Sequence, residues 1–200
     1  MTKYVLNSGG LRNAPEKGRR FLAEIVKDLG PSPKMLVTLF AQPREDWEEK
    51  FAQYRDELNE RAPDRVKVSF ELAFPDTFKE QVSRNDIVYV HGGDDHLVKY
   101  WFDKLNIPKV WKDKVVATSS AGSDVLAKHF WTCDWRQCMD GLGILPIKFL
   151  PHYKSKYGEN DPRGPIDWEK AYKVLAEYGD KSLPIHALEE GDYVVVEVQD

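Results

Sequence analysis

The sequence predicts an α/β fold, a three-layer sandwich in which helices cover both faces of a mostly parallel sheet. Strand-like and helix-like segments alternate along the first part of the chain, and this order produces parallel strands joined by right-handed crossovers. Residues 35–40 and 87–90 are continuous apolar runs, which are typical of strands buried on both faces. With 200 residues and 42% hydrophobic content, the chain can fill one core, so we expect a single domain over residues 1–200.

Short apolar runs define the first five strands. They are predicted at residues 3–6, 35–40, 66–72, 87–90 and 115–117. Between them, apolar side chains such as Phe21, Leu22 and Ile25 recur at helical spacing, so each intervening segment presents one face to the sheet. Gly30 and Pro31 end the first of these helices.

The pattern after Ser120 is less regular. We expect the helix that follows Ser120 to continue to Lys128, which places His129 at its end. Residues 130–143 are predicted as a hairpin or an irregular loop, and residues 154–165, rich in charge, Gly and Pro, as an exposed loop. The remaining predicted elements are a strand at residues 148–150, a helix capped by Asp167, and strands at residues 183–188 and 193–198.

Charge and composition exclude several function classes. The chain has 29 basic and 33 acidic residues and a net charge of −4, without a basic stripe that fits a nucleic-acid groove. No apolar run approaches the length of a membrane span and the first residues lack a signal-peptide core, so we expect a cytoplasmic protein with no nucleic-acid or membrane partner. The spacing of Cys133 and Cys138 is not a usual zinc or redox pair, and both are expected to be reduced thiols.

A short strand, a tight turn and a helix start come together at residues 115–124. This order lifts the hydroxyl of Ser120 to the edge of the sheet and aims the following backbone N–H groups at the same point, as a serine nucleophile requires. The residue two before the serine is Thr118 rather than the usual glycine of a nucleophile elbow. The alternative is that Ser119 or Ser120 only caps the helix.

Other loops with reactive side chains are expected at the same edge, because the carboxyl ends of parallel strands gather there. These loops are residues 8–10, 91–95 and 151–153. His152 follows a strand and Pro151, which restrains the backbone at this edge, and it is predicted as the base that deprotonates Ser120. His129 is expected to point elsewhere, and His186 lies in an apolar strand, where a core histidine is expected.

The base needs a carboxylate on its other ring nitrogen, to hold the ring and stabilise its charged form. Four candidates lie in the turn before the last strand and in the irregular segment after the Ser120 helix: Glu189, Glu190, Asp192 and Asp134. Residue chemistry and spacing leave all four open.

Two backbone N–H groups are predicted to form the oxyanion hole. One belongs to Ala121, next after the nucleophile, and the other to Gly93, in a loop where the backbone can approach a substrate. The segment from His91 to His96 has four metal-capable side chains, but their spacing matches no zinc signature and Asp95 also starts a helix. We therefore predict no metal site and no cofactor.

Five segments in this order resemble motifs of the peptidase E and cyanophycinase family of serine peptidases, most closely the peptidase E branch. They are a glycine-rich loop after a strand (Tyr89–Asp94), a Ser-Ala-Gly nucleophile setting (Ser120–Gly122), a Gly-Leu-x-x-x-Pro segment (Gly141–Pro146), a Pro-His-aromatic motif (Pro151–Tyr153) and a Glu-Gly pair before the last strand (Glu190–Gly191). The segments keep the family order, and the ordered set is more specific than any one motif.

The resemblance implies a fold like that of class I glutamine amidotransferases, a flavodoxin-like α/β sandwich. It also implies acyl-enzyme hydrolysis of peptides, with Ser120 as the nucleophile, His152 as the base and the two N–H groups named above as the oxyanion hole. Glu190 is the first choice for the acid that orients the base, and Asp134 is the second.

The glycine loop departs from the usual Gly-Gly-Gly-Asn pattern of the family. His91 replaces the first glycine, and Asp94 and Asp95 bring two acids beside the predicted hole. Negative charge there would repel the amino-terminal aspartate that peptidase E favours, and it would attract a free amino group or a basic side chain. Asp94 and Asp95 are therefore candidate substrate-binding residues.

We expect a serine peptidase that hydrolyses small peptides such as dipeptides, as a monomer or a homodimer. Two alternatives stay open: a catalytically inactive binding protein on the same scaffold, and a serine esterase or amidase with the same nucleophile. In the first, Ser120 is inert to a fluorophosphonate probe. In the second, Ser120 reacts and esters or amides are preferred to matched peptides.

Overall fold

The computed structural model describes residues 1–199, in which ten strands and six helices form two sheets with flanking helices. The strands are β1 (Thr2–Asn7), β2 (Lys34–Thr38), β3 (Ser69–Leu72), β4 (Ile87–Val90), β5 (Val115–Ser119), β6 (Ala127–Thr132), β7 (Gln137–Asp140), β8 (Leu145–Leu150), β9 (Ile185–Ala187) and β10 (Tyr193–Val198). The helices are α1 (Pro15–Val26), α2 (Trp47–Arg61), α3 (Phe78–Arg84), α4 (Asp95–Phe102), α5 (Ala121–Asp124) and α6 (Trp168–Glu177). Within residues 1–199, no helix combines the length and the apolar character that crossing a membrane requires.

The larger sheet has six strands in the order β10-β1-β5-β4-β2-β3. Neighbouring strands from β1 to β3 pair in parallel, and β10 pairs with β1 in the antiparallel sense. Every residue of β4 and β5 is buried, as expected for central strands covered by helices on both faces. The predicted α/β fold with a mostly parallel sheet is confirmed.

A second sheet, with the order β7-β6-β8-β9, corrects the prediction for the segment after Ser120. The expected helix to Lys128 is wrong: α5 ends at Asp124, and His129 lies in β6. Aromatic side chains such as Phe130 favour a strand, and β6 gains ladder hydrogen bonds from β7 on one side and β8 on the other. The hairpin expected within residues 130–143 is formed by β6 and β7.

One continuous apolar core extends through both sheets. It includes Val116 of β5 together with Phe130 of β6 and Phe149 of β8. Lys148 in β8 is fully buried, and its ammonium donates hydrogen bonds to three backbone carbonyls at the end of α6. This lysine therefore fixes α6 on the second sheet, since its charge is favourable at a helix C-terminus.

The two sheets together bring the chemically important loops to one edge. Loops after β1, β4 and β5 come from the larger sheet, and the loop after β8 comes from the second sheet. Asn7 connects the β1 loop to the β9–β10 turn, because its amide donates to the carbonyls of Gly191 and Asp192 and its oxygen accepts the N–H of Gly9. The turn that contains Glu190 is thereby held against the β1 loop.

Candidate active site

Ser120 occupies a strained turn between β5 and α5. Its backbone angles are φ 48° and ψ −118°, a region that non-glycine residues adopt only when the surrounding structure imposes it. The N–H of Ser120 donates to the carbonyl of Asn7 at 3.0 Å, and its own carbonyl accepts the N–H groups of Ser123 and Asp124 at 2.7 and 3.0 Å. Ser120 stands at the N-cap position of α5, but its side chain accepts no hydrogen bond from the helix, so its hydroxyl does not act as the cap.

Two neighbours explain how this turn forms without a glycine before the serine. The hydroxyl of Thr118 is buried and lies 2.7 Å from the hydroxyl of Ser123, so the side chain at this position is satisfied inside the protein. On the other side of the turn a glycine is required, because a Cβ on Gly122 would lie 2.7 Å from the carbonyl oxygen of Val90. Close packing of α5 on β4 therefore depends on Gly122 and not on position 118.

Ser120, His152 and Glu190 form a continuous hydrogen-bonded chain. Oγ of Ser120 lies 3.1 Å from Nε2 of His152, and Nδ1 of His152 lies 3.2 Å from Oε1 of Glu190. The other oxygen of Glu190 accepts a hydrogen bond from the amide of Asn13 at 2.8 Å. The order of groups is that of a serine nucleophile, a base and an acid that orients the base.

The other three candidate acids make different contacts. Asp134 accepts a hydrogen bond from the hydroxyl of Tyr157 at 2.7 Å. Glu189 and Asp192 face the ammonium of Lys17 at 3.8 and 3.0 Å. Of the four carboxylates that the sequence left open, Glu190 is therefore the one that contacts the imidazole of His152.

His152 is buried and held on several sides. Its N–H donates to the hydroxyl of Ser8 at 2.7 Å, and this hydroxyl donates in turn to the carbonyl of Leu188 at 2.8 Å. The ring of Tyr157 stacks on the imidazole with centroids 4.2 Å apart. Ser8 and Tyr157 had no predicted role, since only the folded loops bring them to the histidine.

Burial lowers the pKa of His152, while the hydrogen bond to Glu190 opposes this effect and raises it; the net shift is downward. At neutral pH the imidazole is therefore uncharged. With Glu190 accepting from Nδ1, the free lone pair is on Nε2 and faces the hydroxyl of Ser120. This is the protonation state that a general base requires.

The loop after β1 lies directly against this chain of residues, and two glycines make that approach possible. A Cβ on Gly9 would lie 2.7 Å from Cε1 of His152, and a Cβ on Gly10 would lie 2.5 Å from Cδ of Glu190. Both glycines also have positive φ angles, 94° and 69°. The sequence placed this loop at the correct edge, but the contacts that require glycine depend on the folded distances.

The loop after β4 approaches Ser120 from the other side. A Cβ on Gly92 would lie 3.0 Å from Cβ of Ser120, and Gly93 has φ 148° with the carbonyl of Ala41 in the space of a side chain. The N–H groups of Gly93 and Ala121 have no hydrogen-bond acceptor within residues 1–199. Unpaired N–H groups close to a serine hydroxyl are available to an oxyanion.

Asp94 and Asp95, the predicted substrate-binding residues, make their contacts at the start of α4. Oδ1 of Asp94 accepts the N–H of Leu97 at 3.0 Å and so caps α4. Asp95 is only 4% exposed and interacts with the buried carboxyl of Asp124. Neither residue is among those that line the cavity beside Ser120.

A cavity of about 470 Å³ opens beside Ser120 and His152. Helix α2 contributes Tyr54, Glu57 and Arg61 to its lining, and Arg12 from the β1 loop is bonded to Glu57. The remaining polar lining residues include Gln42, His91, Asp134 and Tyr157. Both signs of charge are therefore present, with guanidinium groups on the α2 side. Within residues 1–199, no group of three or more His, Cys, Asp or Glu side chains is arranged to hold a metal ion.

The model of peptidase family S51 matches residues 6–200. No curated protein matches the sequence. Among solved structures, a peptidase from an acI-B1 Actinobacterium superimposes with a TM-score of 0.63 at 24% identity, over 98% of this chain and 83% of the other. A putative peptidase E protein from Listeria monocytogenes EGD-e gives a TM-score of 0.64 at 14% identity, over 100% of both chains. At these identities the two structures show that the fold is shared.

Proposed function

Because the chain belongs to peptidase family S51 and is a serine-type peptidase, we propose that it hydrolyses small peptides through an acyl-enzyme on Ser120. The observation that carries this proposal is the chain of contacts from Ser120 through His152 to Glu190, at 3.1 and 3.2 Å. The strained backbone of Ser120 supports it further, because such strain is concentrated at functional turns.

In the proposed reaction, Nε2 of His152 takes the proton of Ser120 while Oγ attacks the carbonyl carbon of the peptide bond. Glu190 accepts from Nδ1 and stabilises the imidazolium that forms. His152 then gives its proton to the leaving nitrogen as the C–N bond breaks, and an ester on Ser120 remains. Water attacks this ester with His152 again as the base, which releases the acid and restores the serine.

The carbonyl oxygen becomes negatively charged in each tetrahedral intermediate. The N–H groups of Ala121 and Gly93 are proposed as its donors, since neither has another acceptor within residues 1–199. Donors that are already in place before the reaction stabilise the developing charge without the cost of reorganisation.

The size of the cavity favours a short peptide, and its lining contains guanidinium groups to which an acidic side chain can bind. A volume of about 470 Å³ is within the range of small-molecule sites. Asp94 and Asp95, whose charge would repel an amino-terminal aspartate, do not line the cavity. Arg12 and Arg61 are the cationic side chains of the lining, and both pair with Glu57. Because an aspartate side chain can compete for these guanidinium groups, dipeptides that begin with aspartate are the first substrates to test.

The test is hydrolysis of a panel of dipeptides, Asp-Leu, Ala-Leu and Lys-Leu, each with a free and an acetylated amino end. We expect cleavage of free Asp-Leu at the highest kcat/KM, with none by Ser120→Ala. Matched leucine esters are included as the control for esterase activity. Peptide hydrolysis that persists in Ser120→Ala, or no hydrolysis of any panel member by the wild-type protein, would contradict the proposal.

A further inference from the structure

We propose that His91 and Gln42 are positioning residues for the oxyanion hole. Both donate a hydrogen bond to the carbonyl of Gly92. Because this carbonyl and the N–H of Gly93 belong to the same peptide group, the two residues orient that N–H towards the oxyanion. The inference rests on the proposed function, because it concerns the oxyanion hole of that reaction. It assigns a role to His91, which stands where the family loop usually has a glycine and which has no place in the catalytic chain of Ser120.

The carbonyl oxygen of Gly92 accepts two hydrogen bonds. Nε2 of Gln42 lies 2.6 Å from it, and Nδ1 of His91 lies 2.9 Å from it. A trans peptide is planar, and its C=O and N–H point in opposite directions. Two donors that fix the carbonyl of Gly92 therefore also fix the direction of the N–H of Gly93.

Gly92 packs closely against the nucleophile. A Cβ on Gly92 would meet the carbonyl oxygen of Ser119 at 2.8 Å and Cβ of Ser120 at 3.0 Å. The N–H of Gly93 has no acceptor within residues 1–199. A planar peptide held at its carbonyl end, with a free N–H and close contact to the nucleophile, has the arrangement of an oxyanion donor.

Gln42 is itself fixed in the orientation that this role needs. The ammonium of Lys50 donates to Oε1 of Gln42, so the NH₂ group is left to face the carbonyl of Gly92. The backbone of Gln42 is anchored as well, since its carbonyl accepts the indole N–H of Trp47 at 2.9 Å and its N–H donates to Leu39 at 2.8 Å.

His91 is likewise held in one orientation and in its neutral form. Its ring stacks on Tyr54 with centroids 3.7 Å apart and an interplanar angle of 22°. Burial lowers the pKa of His91 to about 4, so at neutral pH the ring has one N–H. Because a carbonyl can only accept, the contact with Gly92 places this hydrogen on Nδ1. A glycine at this position would leave the loop with the donor of Gln42 alone.

Two variants remove the donors with little change in shape. Gln42→Glu replaces the NH₂ group by a carboxylate oxygen that cannot donate, and it keeps the contact with Lys50. His91→Phe keeps an aromatic ring beside Tyr54 and removes Nδ1–H. The matched control for the first is Gln53→Glu on the exposed face of α2. For the second it is His91→Asn, whose amide can donate from the position of Nδ1.

The probe is a fluorophosphonate, whose phosphoryl oxygen enters the oxyanion hole as Ser120 is modified. The rate constant of modification, kinact, and the apparent dissociation constant, KI, are measured separately, and urea unfolding reports on the fold of each variant. We expect kinact to fall by about 10- to 100-fold in Gln42→Glu and in His91→Phe, within the range of losing part or all of one oxyanion donor. KI stays close to the wild-type value, Gln53→Glu reacts like the wild type, and His91→Asn recovers most of the rate lost in His91→Phe.

Wild-type rates in both folded variants overturn the positioning role. The role is also overturned if the variants change only KI and leave kinact unchanged, or if His91→Asn loses as much of kinact as His91→Phe does. These results are distinct from failure of the proposed function, in which the wild-type protein itself is not modified at Ser120.

Discussion

Nδ1 of His152 lies 3.2 Å from Oε1 of Glu190, although 38 residues separate them in the chain. The contact joins the two sheets: His152 follows β8 of the second sheet, and Glu190 lies in the turn that leads into β10 of the larger one. Asn13 holds the other oxygen of Glu190, so the carboxylate has one oxygen left for the histidine.

Replacing Glu190 by glutamine tests its role as the orienting acid. Glu190→Gln removes the negative charge that stabilises the imidazolium of His152, and its amide can present the wrong group to Nδ1. We expect kcat/KM for peptide hydrolysis to fall by about 10²- to 10⁴-fold, as for other serine triads. The matched control is Glu189→Gln, on an exposed carboxylate that faces Lys17; a loss in Glu190→Gln no larger than in this control would argue against the role.

The pH dependence of activity reports the protonation of His152. Burial lowers its pKa below the usual 6.5, so the base is neutral at neutral pH and kcat/KM should fall only in acid below that value. The hydrogen bond to Glu190 raises this pKa. In Glu190→Gln the acid limb of the pH profile should therefore move to lower pH. The measurement is the residual kcat/KM of the variant from about pH 4 to about pH 8. A shift of the acid limb to higher pH would contradict this prediction.

The backbone of Ser120 predicts an effect on stability that is independent of catalysis. At φ 48° and ψ −118°, a residue without a Cβ relieves strain that serine and alanine both bear. Ser120→Gly should therefore be more stable than Ser120→Ala by about 1 kcal/mol, measured as the free energy of unfolding in urea. Both variants lack the nucleophile and should be inactive. Equal free energies of unfolding would show that the turn is not strained.

Lys148 should be important for the stability of the second sheet. Lys148→Met keeps the length of the buried side chain but leaves three carbonyls at the end of α6 without their donor. We expect a loss of about 2 to 4 kcal/mol in the free energy of unfolding. Lys173→Met, on an exposed position of α6, is the control and should change it by less than about 0.5 kcal/mol. Similar losses in the free energy of unfolding for the two variants would show that the hydrogen bonds of Lys148 do not stabilise the fold.

The buried carboxyls of Asp95 and Asp124 predict how stability varies with pH. Burial, together with the charges of Asp134 and Asp94, raises the pKa of Asp95 to about 6. Burial and the neighbouring Asp95 raise the pKa of Asp124 well above its usual value. The folded protein therefore binds protons that the unfolded chain releases, and this contribution to stability is lost as the pH rises from about 4 through 6 and above. Asp124→Asn replaces one of these two buried carboxyl groups by an amide, whose NH₂ group can donate a hydrogen bond to Asp95.

Unfolding in urea at acid and alkaline pH tests whether these two carboxyl groups make stability depend on pH. Relative to the wild type, Asp124→Asn should gain stability as the pH rises, because it lacks the proton that the wild type must lose. The control is Asp64→Asn, on an exposed position. A difference between Asp124→Asn and the wild type that is the same at both pH values would exclude the carboxyl pair as its cause.

The sequence predicted the parts of this protein that depend on local pattern. Alternating strand-like and helix-like segments defined the larger sheet, and the position of Ser120 after a buried strand placed it at the loop edge. The choice of Glu190 over Asp134 came from resemblance, because both acids are far from His152 in the chain. The pairing of β10 with β1 is what brings the turn with Glu190 to the histidine.

The errors have a common physical cause. α5 is a single short turn because β6 finds partners on both sides, and pairing between distant strands is not visible in local propensity. Asp94 caps α4 and Asp95 is buried, and neither contact is visible in the charge pattern of the loop. The role proposed for Gln42 depends on a contact across 50 residues, which no motif around Gln42 indicates.

The most direct test of the central claim is stoichiometric labelling of the intact protein with a fluorophosphonate, followed by mass spectrometry of the modified peptide. We expect one label per chain, located on Ser120, and loss of nearly all labelling in His152→Ala with the fold intact by urea unfolding. An unlabelled wild-type protein, a label on another residue, or full labelling of His152→Ala would contradict the account of Ser120 as a nucleophile activated by His152.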